Sequence, residues 1–172
     1  IKLPVDSLVM RLVEIIRSIP GLLLLLAIMA LIKSPSLIYV ILIIGFIRWT
    51  SITTFLRSEL LRIRELEYIQ AAKVLGFSNW RIIFKHALPN AITPVLITIT
   101  FGIASAVLLE AFLSFLGIGI PVENVTWGSL LNTARHNYSA WWMAVFPGFA
   151  IFITVTTLNL IGDGLEKAMS ES

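Results

Sequence analysis

The sequence predicts an all-α protein: a polytopic bundle of transmembrane helices carrying a polar, helical loop on one side. Three observations lead there. Hydrophobic residues fill 58% of the 172 positions and charged residues only 13%, with a mean hydropathy of +0.92, whereas soluble domains carry roughly 25% charged residues. Four apolar runs are each long enough to cross a hydrocarbon core of about 30 Å. Between the second and third runs sits a charged, glycine-punctuated island, "EYIQAAKVLGFSNWRIIFKHALPN". The length suits one domain, residues 1–172. With no cysteine, a disulfide framework or thiolate metal site is excluded, and a net charge of +3 gives no sign of nucleic acid as a partner.

The first run, residues 15–32, holds Pro20 and Gly21 near its start, where a kink is expected. The second, residues 36–56, follows after only "KSP", so the two should be antiparallel neighbours. The third, residues 91–116, has Pro94 in its first turns, and Gly102 should let a neighbouring helix approach closely. The fourth, residues 141–162, contains Pro147-Gly148, which membrane helices tolerate because neighbours re-satisfy the freed backbone groups. The opening "IKLPVDSLVMRLVE" has neither a basic n-region nor a small-residue cleavage site and reads as an internal start within a longer chain.

Lys and Arg set the orientation. Segment 57–90 holds Arg57, Arg62, Arg64, Lys73, Arg81 and Lys85, whereas the connector after the third span holds Arg135 alone. The island is therefore expected on the cytoplasmic side, together with Lys2, Arg11, Arg17 and the tail bearing Lys167. Lys33 then faces out, and Trp141 and Trp142 begin the fourth span at an outer aromatic belt.

Within the island, "RELEYIQAAKVLG" uses strong helix formers and stops at Gly76, suited to the left-handed turn that ends helices. Ser78 is the expected N-cap of a second short helix, which should end before Pro89. Ala71 and Ala72 offer a small-residue surface before the bend, and Phe77 follows it. Such a patch fits a groove on another protein; it fits equally a loop resting on lipid headgroups.

The island resembles the EAA signature of the membrane subunits of binding-protein-dependent ABC importers. Gln70-Ala71-Ala72, Gly76 and Leu88-Pro89 fall at that signature's spacings, with Gln70 in place of the usual Glu and His86 in place of an aliphatic residue. "HALPN" is similar to the form found in the oligopeptide, dipeptide and nickel branch. The likeness extends through "VDSLVMRLVEIIRSIPGLLLLL", "RWTSITTFLRSELL", "LLEAFLSFLGIG" and "LNLIGDGLEKAM", nearly the whole chain. It implies a six-helix subunit lacking here its first two helices, a bacterial or archaeal cytoplasmic membrane, and a coupling helix seated in a cytoplasmic ATPase. Glu67, Gln70, Ala71, Ala72, Gly76, Phe77, Leu88 and Pro89 would carry the coupling. The implied partners are a second permease subunit, two ATP-binding subunits, an extracytoplasmic substrate-binding protein and the lipid bilayer. The cargo would be oligopeptides or dipeptides, with nickel or oligosaccharides as other cargoes of the branch. This chain has no phosphate-cradling G-x-x-x-x-G-K-[ST], so ATP and Mg would bind to the partner subunits and this chain would be non-catalytic, with no cofactor of its own.

Two ionisable residues fall inside spans, Arg48 and Glu110, and such residues are functional candidates because they are costly there. Arg48 lies about twelve residues, or ~18 Å, from the far end of its span, and Glu110 ~10 Å from the same side. They are expected either to pair between helices or to line a translocation path. The connector after the third span has a helix-like centre from Trp127 to about Arg135, which the resemblance places in a vestibule facing the binding protein; a surface helix packed over the bundle end is the other reading. His86 and His136 lack metal-ligand spacing. An intramembrane enzyme would need a nucleophile and base, or paired carboxylates, at one depth, and neither pattern occurs. A passive channel is the remaining rival, and it would need no element for docking an ATPase.

Overall fold

A computed structural model describes residues 4–32, 36–118 and 125–170. Lys2, the turn at residues 33–35 with Lys33, and residues 119–124 of the long connector lie outside them. The described residues form an all-α bundle in the order α1 (Pro4–Arg17), α2 (Gly21–Leu31), α3 (Leu37–Arg64), α4 (Glu67–Val74), α5 (Asn79–Ile82), α6 (Leu88–Phe115), α7 (Trp127–His136) and α8 (Trp142–Ser170). A π-helical turn, Ile83–Ala87, joins α5 to α6.

The first apolar run is not one straight helix. The Ser18 N–H and its hydroxyl bond back to the turn before it, at the Glu14 and Ile15 carbonyls, and Pro20 has no N–H to extend the ladder. The axis then turns by 77° between α1 and α2. Alone, α2 has 11 residues and a length of about 16 Å, half of a hydrocarbon core. The expected kink is therefore a full break. Asp6 in the first turn of α1 and Arg17 in its last suit the helix dipole, and Asp6 also accepts both arms of Arg57, at 2.7 and 3.0 Å, tying α1 to α3.

Among the described residues, three rods are each long and apolar enough to cross a membrane, namely α3, the joined α5–α6 rod of 37 residues, and α8, and the bent α1–α2 pair makes a fourth crossing if it is counted as one span. Pro89 does not stop the second short helix as expected. Leu88, just before it, has helical φ −64° and ψ −46°. The proline ring would clash with the carbonyl four residues back in a regular helix, and the wider π turn falls at that point.

Two cores hold the bundle. Leu25 and Met29 of α2 pack with Val40, Ile43 and Ile44 of α3 and Leu113 of α6. Ile63, Ile69, Ala72, Ile82 and Ala91 form the other, under the island. Glycine sets the close crossings, though not at Gly102, where an added Cβ would meet nothing within 4 Å. At Gly162 it would come within 2.9 Å of the Phe101 ring, and at Gly128 within 2.4 Å of the Ala111 carbonyl. These positions let α8 and α7 lie against α6.

Candidate functional site

The island is a small folded unit. Helix α4 ends in a Schellman motif: Phe77 N–H donates to the Ala72 carbonyl (3.1 Å), Gly76 N–H to Lys73 (3.0 Å), and Gly76 takes φ +77°. Ser78 then accepts from the Arg81 N–H at 3.3 Å and starts α5. The Arg81 guanidinium lies 4.5 Å above the Phe77 ring, which pins the chain on the far side of the bend. Asn90 Nδ2 donates to the His86 carbonyl and to the Tyr68 hydroxyl (3.3 Å), closing the joint between the island and α6.

The sequence-named residues divide into two groups. Ala72 is only 7% exposed and belongs to the island's own core, so the expected Ala71-Ala72 surface is Ala71 alone. A helix turns 100° per residue, which puts neighbours on different faces. Glu67, Gln70, Ala71, Gly76 and Pro89 are exposed, whereas Phe77 and Leu88 are half-buried. Gln70 Nε2 donates to the Arg64 carbonyl at the end of α3 (2.9 Å), a bond that an ionised Glu, which has no donor, could not make.

Sequence reasoning missed the most exposed apolar residues of this face. Val74 is 88% exposed, Leu75 and Trp80 72% each, and Trp80 stacks on Phe84 with centroids 5.5 Å apart. The available signal was two aliphatic residues at a helix end with no inward periodicity, followed by aromatics four apart.

Within the spans, a groove of about 540 Å³ runs between α3 and α6, lined among others by Gly45, Arg48, Ser51, Gly102, Glu110 and Trp127. A smaller cavity of about 300 Å³ sits at the α1–α2 break against α3. Arg48 lines both. Arg48 and Glu110 thus share one groove, but they do not form an ion pair, the first of the two arrangements expected of them. Glu110 Oε1 accepts from Ser114 Oγ at 2.7 Å, one turn along its own helix, and the ion pairs among described residues lie elsewhere, at Arg11–Glu14, Asp6–Arg57, Glu59–Arg62 and Arg64–Glu65.

At the opposite end from the island, Thr126 and Ser129 form a capping box for α7. Asn132 Nδ2 donates to the Phe115 carbonyl (2.5 Å), and Arg135 lies 5.7 Å from the Phe115 ring centre. Helix α7 is therefore packed over the ends of α6 and α8, with Trp127 at the mouth of the groove. His86 and His136 join no metal-ligating cluster among the described residues.

Comparison with known proteins accounts for this layout. Residues 1–171 match the family described as binding-protein-dependent transport system inner membrane component. A candidate peptide transport system permease protein of Brucella suis is 41% identical over 95% of the chain and 55% of its own length. The dipeptide transport system permease protein DppC of Alkalihalophilus pseudofirmus is 39% identical, over 96% of the chain and 54% of its own length. DppC of Bacillus subtilis is 34% identical over 96% and 52%. The chain spans about half the length of the curated relatives it matches. With nearly every residue matched, the chain belongs to the family of binding-protein-dependent transport system inner membrane components.

Proposed function

We propose that this chain is the membrane core of a permease subunit of an ATP-driven importer for oligopeptides or dipeptides, and that the island couples an ATPase partner to the spans. The observation that carries this is the continuous α5–α6 rod of 37 residues. The exposed Val74, Leu75, Trp80 and Phe84 form one end of this arrangement, and the groove residues of α6 lie farther along the same rod. Because the island has its own core, a push on its face moves it as a body and tilts α6, instead of deforming a loop. Membership in the family and the names of the relatives support the class of cargo.

In this reading the island and the tail face the cytoplasm, as the Lys and Arg distribution suggests. Two ATP-binding subunits, a second permease subunit and an extracytoplasmic binding protein complete the machine in the lipid bilayer. Nucleotide and Mg chemistry belongs to the ATP-binding subunits. The α3–α6 groove, with Arg48 and Glu110 on its wall, is the part of the path that this chain contributes.

Copurification tests the reading. The full-length protein should retain an ATP-binding subunit through a detergent wash, and Leu75→Glu with Trp80→Glu should release it while leaving the permease in the membrane. Retention by the double variant would remove the docking role from this face. A full-length protein that conducts cargo without any such subunit would favour the channel.

A further inference from the structure

We propose that the cavity at the α1–α2 break is an anion subsite that receives a carboxylate or similar oxyanion between Arg48 and Arg17. Both arginines line it, together with Pro20, Gly21, Leu22 and Thr50. Arg48 makes no hydrogen bond or ion pair with a described residue, although it lies inside a membrane-spanning rod, where an uncompensated charge is costly. The acidic residue that shares a groove with it, Glu110, makes no ion pair with it and accepts instead from Ser114. The cavity presents no carboxylate of its own.

What faces Arg48 there is also positive. Arg17 Nη1 reaches Thr54 Oγ1 at 3.3 Å, a neutral partner that leaves its charge uncompensated. Leu24 N–H bonds back to the Pro20 carbonyl at 3.0 Å, so the amides of the first three residues of α2 open the helix without an intrahelical acceptor. Their positive helix end adds to the two arginines that line the cavity. A volume of about 300 Å³ admits a carboxylate with its flanking peptide unit, or a phosphate group. Arg48 bridges this cavity to the α3–α6 groove, so a chain end held here would lie beside the path. The identity of the anion as cargo rests on the transport reading above; the existence of the subsite does not.

The test is the rate at which phenylglyoxal modifies Arg48, read by peptide mass spectrometry on the full-length permease complex in phosphatidylcholine nanodiscs. Millimolar glycylglycine should slow modification at least threefold, and its C-terminal amide should not. Replacing part of the phosphatidylcholine by phosphatidylglycerol asks whether a lipid phosphate takes the same place; protection by that lipid and not by glycylglycine would keep the anion subsite and assign it to lipid. Arg17→Gln should abolish protection in either arm. Equal protection by the peptide and its amide, or no protection by any anion, would overturn the subsite. So would a Glu110→Gln variant that speeds Arg48 modification while removing all anion dependence, because Glu110 would then be the counter-ion. Labelling requires no transport, so a complex that carries no peptide would sink the importer reading while leaving this result intact.

Discussion

The island and the intramembrane groove each place charged residues against an apolar bundle, and they are built in opposite ways. The island closes on itself: Ile63 at 0% and Ile69 at 1% exposure sit under it, its bend is hydrogen-bonded on both sides, and Gln70 and Asn90 bond within it. The groove is open, with a Cβ at Gly45 or Gly102 meeting nothing within 4 Å and Arg48 in no ion pair with a described residue. A closed unit can pass on force as a rigid body. An open wall with an unpaired charge is one side of a site that something else completes.

The sharpest way to break the comparison is to charge the island's interior. Ile69→Asp would bury a carboxylate among Ile63, Ala72, Ile82 and Ala91, at a cost of several kcal/mol. The expected outcome is loss of the folded permease from the membrane fraction. Val74→Asp changes a residue 88% exposed, so it should accumulate at the wild-type level and lose only ATPase retention. Equal accumulation of the two variants would mean that the island has no core that matters.

The next effect down lies at the bend. Gly76 occupies φ +77°, a region that costs a residue with a Cβ about 1 kcal/mol or more, and a β-branched one most. An added Cβ meets nothing within 4 Å, so the penalty is conformational and local. Gly76→Val should insert normally and hydrolyse ATP in the assembled complex while transport falls at least tenfold. Gly76→Asn, which tolerates the left-handed region better, should recover part of it. Full transport by Gly76→Val would show that the bend's direction is immaterial.

How far the sequence could be read follows the same division. The bend at Gly76 and the cap at Ser78 were legible because each depends on chemistry within a few residues, a left-handed glycine and a hydroxyl, and the helical centre from Trp127 was legible too, though the Thr126 cap that starts it was not singled out. The side that Ala72 takes depends on Ile63 and Ala91, far away in sequence. Gly102 looked like a contact point and faces open space, whereas Gly128 and Gly162 make the close approaches, because which glycine meets a neighbour is set by helix crossing. The break at residues 18–20 was visible as a kink, but its 77° depends on how α2 packs into the core with Leu113. The continuation through Pro89 needed a π turn, for which no residue pattern in the segment gives a rule.

A smaller effect is expected at Gln70. Its amide nitrogen donates to the Arg64 carbonyl at the end of α3, where the last carbonyls lack helical donors. Gln70→Glu, which restores the residue usual in the signature, replaces that donor with an acceptor. The site is exposed, so water takes over much of the lost bond and the change should be near 1 kcal/mol. Thermal unfolding of the purified complex should shift down by about 2–4 °C, with transport retained. An upward shift would mean that the island uses the charge of a glutamate more than the amide's hydrogen bond.

The smallest effect predicted is an absence of coupling, and it tests the open half of the comparison. Were Arg48 and Glu110 an ion pair, neutralising one would leave the other charged and unpaired, and the double neutralisation would recover much of the loss. In the structure Glu110 accepts from Ser114 at 2.7 Å, and Arg48, which lines both the shared groove and a second cavity, makes no ion pair with it. The two substitutions should therefore add, with an interaction energy within about 0.5 kcal/mol of zero, as for residues that share no partner. Arg48→Gln, Glu110→Gln and the double variant, compared by unfolding of the intact complex, supply the cycle. Ser114→Ala should couple to Glu110→Gln, since it removes the donor that Glu110 uses, and should leave the effect of Arg48→Gln unchanged. A strong compensating term between Arg48 and Glu110 would mean that the groove closes on its own charges, as the island does, and the contrast between the two regions would fail.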